Sequence, residues 1–263
     1  MTEAEAMKLP FTCAVLLLAP AFAWAATDVR FEQGKAWNAG RTQLMYTESH
    51  WTAYENEVLK DRTVLYRCAD GTPFARKEIN YAKSKLAPAF SFNDIRFNYQ
   101  EGLRWQNNKP ELWVSRNGQK QQKSLDNSSD LVADAGFDVF VKKRWPELTA
   151  ARRQTLQFAV PARLTSYSFN LQRVNNLPYH KEPAQNFKLG LNSWLGVIAP
   201  NIELAYSTKS QRLLRFKGLS NILDDQGDKP VNAIIEFPLL DQIVSANEKL
   251  QAQAVLLKSC QLS

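Results

Sequence analysis

The chain has 263 residues, 44% of them hydrophobic and 11% aromatic, with only 10 Gly and 12 Pro. That composition excludes a disordered or fibrous chain and is ample for a large domain with its own core. The 33 Lys and Arg against 26 Asp and Glu give a formal charge of +7, which suits contact with anionic lipid or glycan or simply solubility, while two His and three Cys leave little for metal or nucleophilic chemistry.

Met7–Ala25 (MKLPFTCAVLLLAPAFAWA) has the layout of a secretory signal peptide. Lys8 is the positive region, Phe11 to Phe22 the apolar stretch, and Ala23-Trp24-Ala25 a small-x-small cleavage site. Glu3 and Glu5 are unusual ahead of such a stretch, which makes Met7 a plausible true start. The apolar run is too short to cross a hydrocarbon core of ~30 Å. The expectation is a signal peptide over 1–25 and a single β-rich domain over 26–263, periplasmic or secreted. Export takes nucleic acid off the list of partners and leaves lipid or another envelope component, with peripheral membrane contact among the options. The exported part keeps two cysteines, Cys68 and Cys260. In an oxidising compartment they are expected to pair, the alternative being two separate buried thiols.

Further along, the dominant rhythm is period two. Phe90 and Phe92 share one phase and Ile95, Phe97 and Tyr99 the other, with a slip at Asn93-Asp94 that predicts a bulge or bend. Leu156-Phe158-Val160, Tyr167-Phe169-Leu171, Ile202-Leu204-Tyr206 and Val231-Ala233-Ile235-Phe237 each put apolar side chains on one face of a strand. Asp70-Gly71, Asn107-Asn108, Asn117-Gly118 and Gln226-Gly227 fall between such runs as turn signals. Together they predict hairpins near 55–83, 90–106, 111–125, 155–174 and 202–237, an antiparallel sheet of about ten strands. Residues 175–187 read as a loop.

Leu131–Leu148 breaks the rhythm. Val132, Phe137, Phe140, Val141, Trp145 and Leu148 recur at three- and four-residue spacing, which predicts an amphipathic helix ending around Trp145-Pro146. A helical turn is expected at Asn192–Ala199 and a helix or strand at Leu250–Lys258. A helix between two β-rich halves predicts a curved sheet, half-barrel or open barrel, with one or two helices on its concave face.

Chemistry-bearing motifs are scarce. His50 and His180 lack a second ligand at metal-binding spacing and read as surface or capping residues, so no metal or cofactor is expected. Gly218-Leu219-Ser220 lacks the second glycine of a nucleophile elbow and reads as a bend. Asp134 and Asp138 share a helix face, where acid–base work competes with the simpler reading of first-turn acids favoured by the helix dipole. Lys142, Lys143 and Arg144, with Arg152 and Arg153, form the densest basic cluster, a candidate site for an anion or a lipid headgroup against the simpler reading of a solvated helix end that complements the dipole. Phe90, Phe92, Trp105, Trp113, Phe137 and Phe140 are candidates to line a lipid-sized cavity, against the alternative that they pack a core.

Leu65–Lys77 (LYRCADGTPFARK) and Val132–Trp145 (VADAGFDVFVKKRW) resemble stretches of exported proteobacterial proteins without an established activity. The run from Tyr46 to Phe237, with its final hairpin sequences RLLRFKG and NAIIEF, is similar in plan to the half-barrels of periplasmic lipoprotein carriers and receptors. That resemblance implies an open sheet wrapped around a cavity for acyl chains, with helices as a lid. Two functions follow as expectations: a non-enzymatic envelope protein with an apolar ligand under its helix, or a structural or protein-interaction module whose core is filled. A hydrolase would need a polar cleft that two His do not supply.

Overall fold

A computed structural model describes Met1 and residues 27–175, 178–180, 182–192, 201–238 and 242–262. The expected signal peptide past Met1, and the helical turn expected beyond Asn192, lie outside them. The first half is a run of strands: β1 (Thr27–Asn38), β2 (Leu44–Glu55), β3 (Val58–Cys68), β4 (Pro73–Asn80), β5 (Ala89–Asp94), β6 (Tyr99–Gln106), β7 (Lys109–Arg116) and β8 (Gln119–Ser124). An insert follows, with β9 (Leu131–Val132), helix α1 (Gly136–Lys143) and helix α2 (Trp145–Thr149). The second half holds β10 (Gln154–Val160), β11 (Thr165–Asn175), β12 (Ala184–Leu191), β13 (Ile202–Ser207), β14 (Leu213–Leu223) and β15 (Pro230–Glu236). It ends with β16 (Gln242–Val244) and helix α3 (Ala246–Ala254).

The strands form one sheet of sixteen, not the ten expected. Its order runs from β8 back to β1, then from β15 back to β9, with β16 beside the first part of β1. All neighbours are antiparallel except β9 and β10. Two nearest-neighbour meanders are therefore joined where β1 meets β15, Lys35 facing Glu236. The sheet does not close, but its ends approach: Arg116 of β7 donates to the Ala162 carbonyl, in the turn after β10, at 3.4 Å.

The turns follow local chemistry. Asn107-Asn108 and Asn117-Gly118 take positive φ at both positions, the two-residue turn whose twist matches antiparallel strands. Asn56-Glu57 does the same between β2 and β3, without a glycine to announce it. The slip at Asn93-Asp94 is the end of β5. Asp94 caps a 3-10 turn at Ile95–Phe97, and Asn98, left-handed, leads into β6. Gly218-Leu219-Ser220 lies inside β14, where the register to β15 shifts between Leu219 and Leu223.

Three expectations are corrected. The helix expected over Leu131–Leu148 is a two-residue strand and two short helices. Leu131 and Val132 pair with β10, Asp134 turns left-handed at φ 44°, and the chain breaks again before Pro146, which cannot continue a helix from the preceding turn. Residues 184–187 belong to β12, not a loop, because Ala184 and Phe187 bury against the neighbouring strands. His50 is buried inside β2 rather than at the surface.

The two faces of the sheet are both covered. On the inner face, α1 and α2 set Phe140, Val141 and Leu148 against Leu156, Leu171, Phe187, Leu204 and Tyr206 of β10 to β13. The inner face of β2 to β7 packs Tyr46, Tyr66, Phe92, Leu103 and Leu112 with Ile235 and Phe237. On the outer face, α3 covers Trp51 and Leu65 with Ala252. A Ser245–Glu248 capping box starts that helix. The tail beyond it is pinned by Lys258 N to Pro73 O at 2.7 Å and by a Cys68–Cys260 disulfide, Cα atoms 6.5 Å apart.

Candidate functional site

The inner face of the first meander is not purely apolar. Alternation in β2 sends Glu48, His50 and Thr52 inward, and all three are buried. Lys77 from β4 and Glu101 from β6 are buried on the same side. The insert answers this surface. Asp134 pairs with Lys77, and its other oxygen accepts Ala135 N at 2.8 Å. Asp138, in the first turn of α1, accepts the Tyr206 hydroxyl at 2.8 Å and lies 3.8 Å from Arg62 Nη1. Arg62 in turn donates to Thr52 Oγ1 at 3.0 Å.

Gly136 fixes the seat of this insert. A Cβ there would lie 1.9 Å from the Leu86 carbonyl oxygen, so only glycine lets α1 start so close to that backbone. Ala133 N donates to the same carbonyl at 2.9 Å. The insert is thus held by apolar contacts to both meanders, by ion pairs to the first and by the Tyr206 hydroxyl to the second.

Burial sets the protonation of the network. It would pull the Lys77 ammonium down, but the carboxylate of Asp134 and the neighbouring Tyr66 outweigh it and hold Lys77 charged. Burial, then the Asp138 carboxylate, pushes the Tyr206 hydroxyl well above its ordinary value. Burial raises Glu101 despite the hydroxyl of Tyr99, which donates to it at 2.6 Å. Tyr81 is pushed up to about 12 by burial, against the charge of Arg62. Two groups stand outside this pairing: the Tyr81 hydroxyl and the His50 ring, both buried without a hydrogen bond. His50 Nε2 lies 3.2 Å from Glu48 Oε1 without hydrogen-bond alignment, and its ring meets Phe237 edge-on at 5.7 Å.

Chemically, this arrangement is a set of matched charges. Asp134 and Asp138 are neither solvated caps nor a free acid–base pair, since each already answers a cation or a hydroxyl across the interface. Among the described residues, no three His, Cys, Asp or Glu are placed to hold a metal ion. Sequence patterns marked Asp134 and Asp138, but Lys77, Arg62 and Glu101 carry no local signal of being inside, because only the register of β3, β4 and β6 turns them inward.

The six candidate aromatics do not converge on one lining. Phe90, Phe92 and Trp105 pack with the core of the first meander, Trp105 Nε1 donating to the Ala87 carbonyl at 2.9 Å. Phe137 and Phe140 belong to the cluster against the second meander, rings 6.5 Å apart. Trp113 is on the outer face, its ring over Gly102 and under Lys120. There it borders a groove of about 500 Å³ with Glu78, Asn80, Arg104, Lys249 and Gln253. A second outer groove, about 540 Å³, lies beside the β3–β4 turn and the tail at Val255 and Leu256.

The basic residues do come together. Lys142 and Lys143 end α1, and Arg144 joins it to α2 and lies 3.8 Å from Glu147. Arg152 N donates to the Glu147 carbonyl at 2.9 Å, which folds Arg152 and Arg153 back beside them. All five side chains are exposed.

No family model matches the chain, and no curated protein is similar to it. Among solved structures it is similar to a β-barrel-like protein of a domain of unknown function, DUF1849, from Brucella abortus. The likeness covers 84% of this chain and 99% of that one at 6% identity, with a TM-score of 0.41.

Proposed function

We propose that the protein is an exported, non-enzymatic module of the cell envelope that works through its outer surface, its interior serving as a filled core. The observation that carries this reading is the seating of the insert. Phe140 is 4% exposed, Val141 and Leu148 not at all, and the Trp145 ring packs edge-on against Phe187 at 5.7 Å. An acyl chain bound inside the sheet needs the space these side chains take. The paired charges around Asp134 and Asp138 support the same conclusion, since a catalytic carboxylate needs access to a substrate. Export is supported by the Met7–Ala25 pattern, and the Cys68–Cys260 disulfide is compatible with an oxidising compartment. No helix among the described residues is long and apolar enough to cross a membrane.

A second reading keeps the lipid. The insert is one continuous segment between the meanders, and its displacement would uncover Leu156, Leu171, Phe187 and Leu204. Native mass spectrometry of protein released from the periplasm separates the two. The mass of the oxidised polypeptide alone is expected. A bound lipid retained through purification would overturn the filled-core reading in favour of the second.

A further inference from the structure

The charge of this molecule is concentrated in one place. From Val139 to Asn175 the chain carries seven Lys and Arg against a single acid, Glu147, which is +6 of the formal +7 of the whole chain. The other residues taken together are close to neutral. Six of the seven cations gather at one end of the second meander. Lys142, Lys143 and Arg144 stand at the junction of α1 and α2, and Arg152 and Arg153 precede β10. The ladder pairs Gln154 with Leu171, so the chain enters β10 at the end where β11 carries Arg173. Arg173 Nη1 donates to the Thr149 carbonyl at 2.6 Å and ties that strand end to α2. The seventh, Arg163, lies at the far end of β10.

Arg173 and Arg144 are engaged with neighbouring groups, but the other four cations of the cluster are not occupied in holding the fold. Among the described residues, no side-chain hydrogen bond or ion pair engages Lys142, Lys143, Arg152 or Arg153, and Glu147 answers Arg144 alone. Val174, the next residue after Arg173 in the chain, is 51% exposed, an apolar side chain open to solvent at the same end of β11. We propose that this end of the molecule docks on an anionic lipid surface, with the long side chains reaching phosphate headgroups and Val174 resting in the interfacial layer.

The chemistry favours lipid over other polyanions. Among the described residues, neither of the two outer grooves is lined by these cations. Lys and Arg on flexible stems at a helix junction suit a laterally mobile array of phosphates, where each cation finds its own partner. An apolar side chain at the same end gains from the headgroup boundary and gains nothing from a soluble polyanion. This proposal goes beyond the filled-core reading and does not depend on it, because the surface is the same whether or not the interior takes a ligand.

The test is co-sedimentation of the full-length exported chain with vesicles of phosphatidylcholine, alone or mixed with phosphatidylglycerol. Binding to the mixed vesicles only, released when salt shortens the screening length to about 3 Å near 1 M, is expected. The pair Arg152→Glu and Arg153→Glu should cut that binding roughly tenfold or more. The pair Lys142→Glu and Lys143→Glu should do the same. The pair Lys120→Glu and Lys123→Glu, an equal change of charge on β8, should leave it nearly intact. Equal binding to both vesicles, equal losses in all three variants, or retention by the first two would overturn the proposal. So would capture by soluble heparin with no vesicle binding, which would make the partner a polyanionic glycan.

Discussion

The Tyr206 hydroxyl on β13 donates to Asp138 Oδ1 at 2.8 Å, and the same carboxylate faces Arg62 of β3 at 3.8 Å. One side chain of α1 therefore bridges the two meanders. Asp138→Ala would leave the buried Arg62 guanidinium without its counter-charge and the buried Tyr206 hydroxyl without its acceptor, and should cost about 3–5 kcal/mol. Asp138→Asn keeps an acceptor for Tyr206 and should cost less. Chemical denaturation of both variants reads the difference, and equal small losses would mean that the bridge does not hold the insert.

Phe140→Ala should cost about 3–5 kcal/mol, because the ring is buried among β-strand side chains that cannot collapse into the gap. If lipid fills the space under the insert, the loss of stability should be smaller and lipid retention should fall with it. Urea midpoints measured with delipidated protein distinguish the two.

Glu101 gives a pH dependence with a defined sign. Burial raises its carboxyl above the ordinary 4.5, so the folded chain holds a proton there that the unfolded chain releases. Its contribution is thus fully present below 4.5 and lost as pH rises toward the raised value. Glu101→Gln removes the titration. Relative to the parent, the variant should gain stability as pH is raised through that window, as measured by denaturation on either side of it. A gap that stays constant or moves the other way would contradict the assignment.

Cys260→Ser should destabilise the oxidised protein by about 2–5 kcal/mol, since the disulfide closes a span of 192 residues. Release of the tail should also uncover Trp51 and Leu65. Limited proteolysis should cut the variant, and reduced wild type, first between α3 and the C-terminus. Equal protection with and without the disulfide would show that Lys258, and Leu262, whose N–H donates to Asp225 Oδ1 at 2.8 Å, hold the tail unaided.

Much of the second meander was legible from its residues. Leu156, Leu204, Ala233 and Ile235 alternate mostly with polar or small residues, and the pattern survives even where β13 buries Ala205 and Ser207 on its other face, because those side chains are small. β2 was not legible. From Glu48 to Ala53 six consecutive residues are buried, three inward into charge and three outward under α3, so no alternation survives. β12 was hidden by polar residues such as Gln185, which is buried and bonds back to the Asn175 carbonyl at 3.2 Å. The helix was legible as an apolar stripe with a break near Trp145-Pro146, but not its late start, where Asp134 turns left-handed and pairs with Lys77, far away in sequence. The basic cluster was legible because its members are close in the chain. The charge network was not, because its cations arrive by strand register.

The position of β1 has a consequence for how the molecule comes into being. Strands β1 to β8 find their partners next door in the chain, and so do those from β10 to β15. The pairing of Lys35 with Glu236 is different, because it waits for nearly the whole chain to be made. A polypeptide threaded across a membrane from its N-terminus presents the first meander early, with one side of β1 bare and its backbone groups open to any passing strand. The last third of the chain supplies that missing neighbour, and the disulfide to Cys68 forms only after it. If the chain is exported as proposed, the span between is an interval of vulnerability, in which a periplasmic holding factor would matter more to this protein than to one whose sheet is completed in order of synthesis.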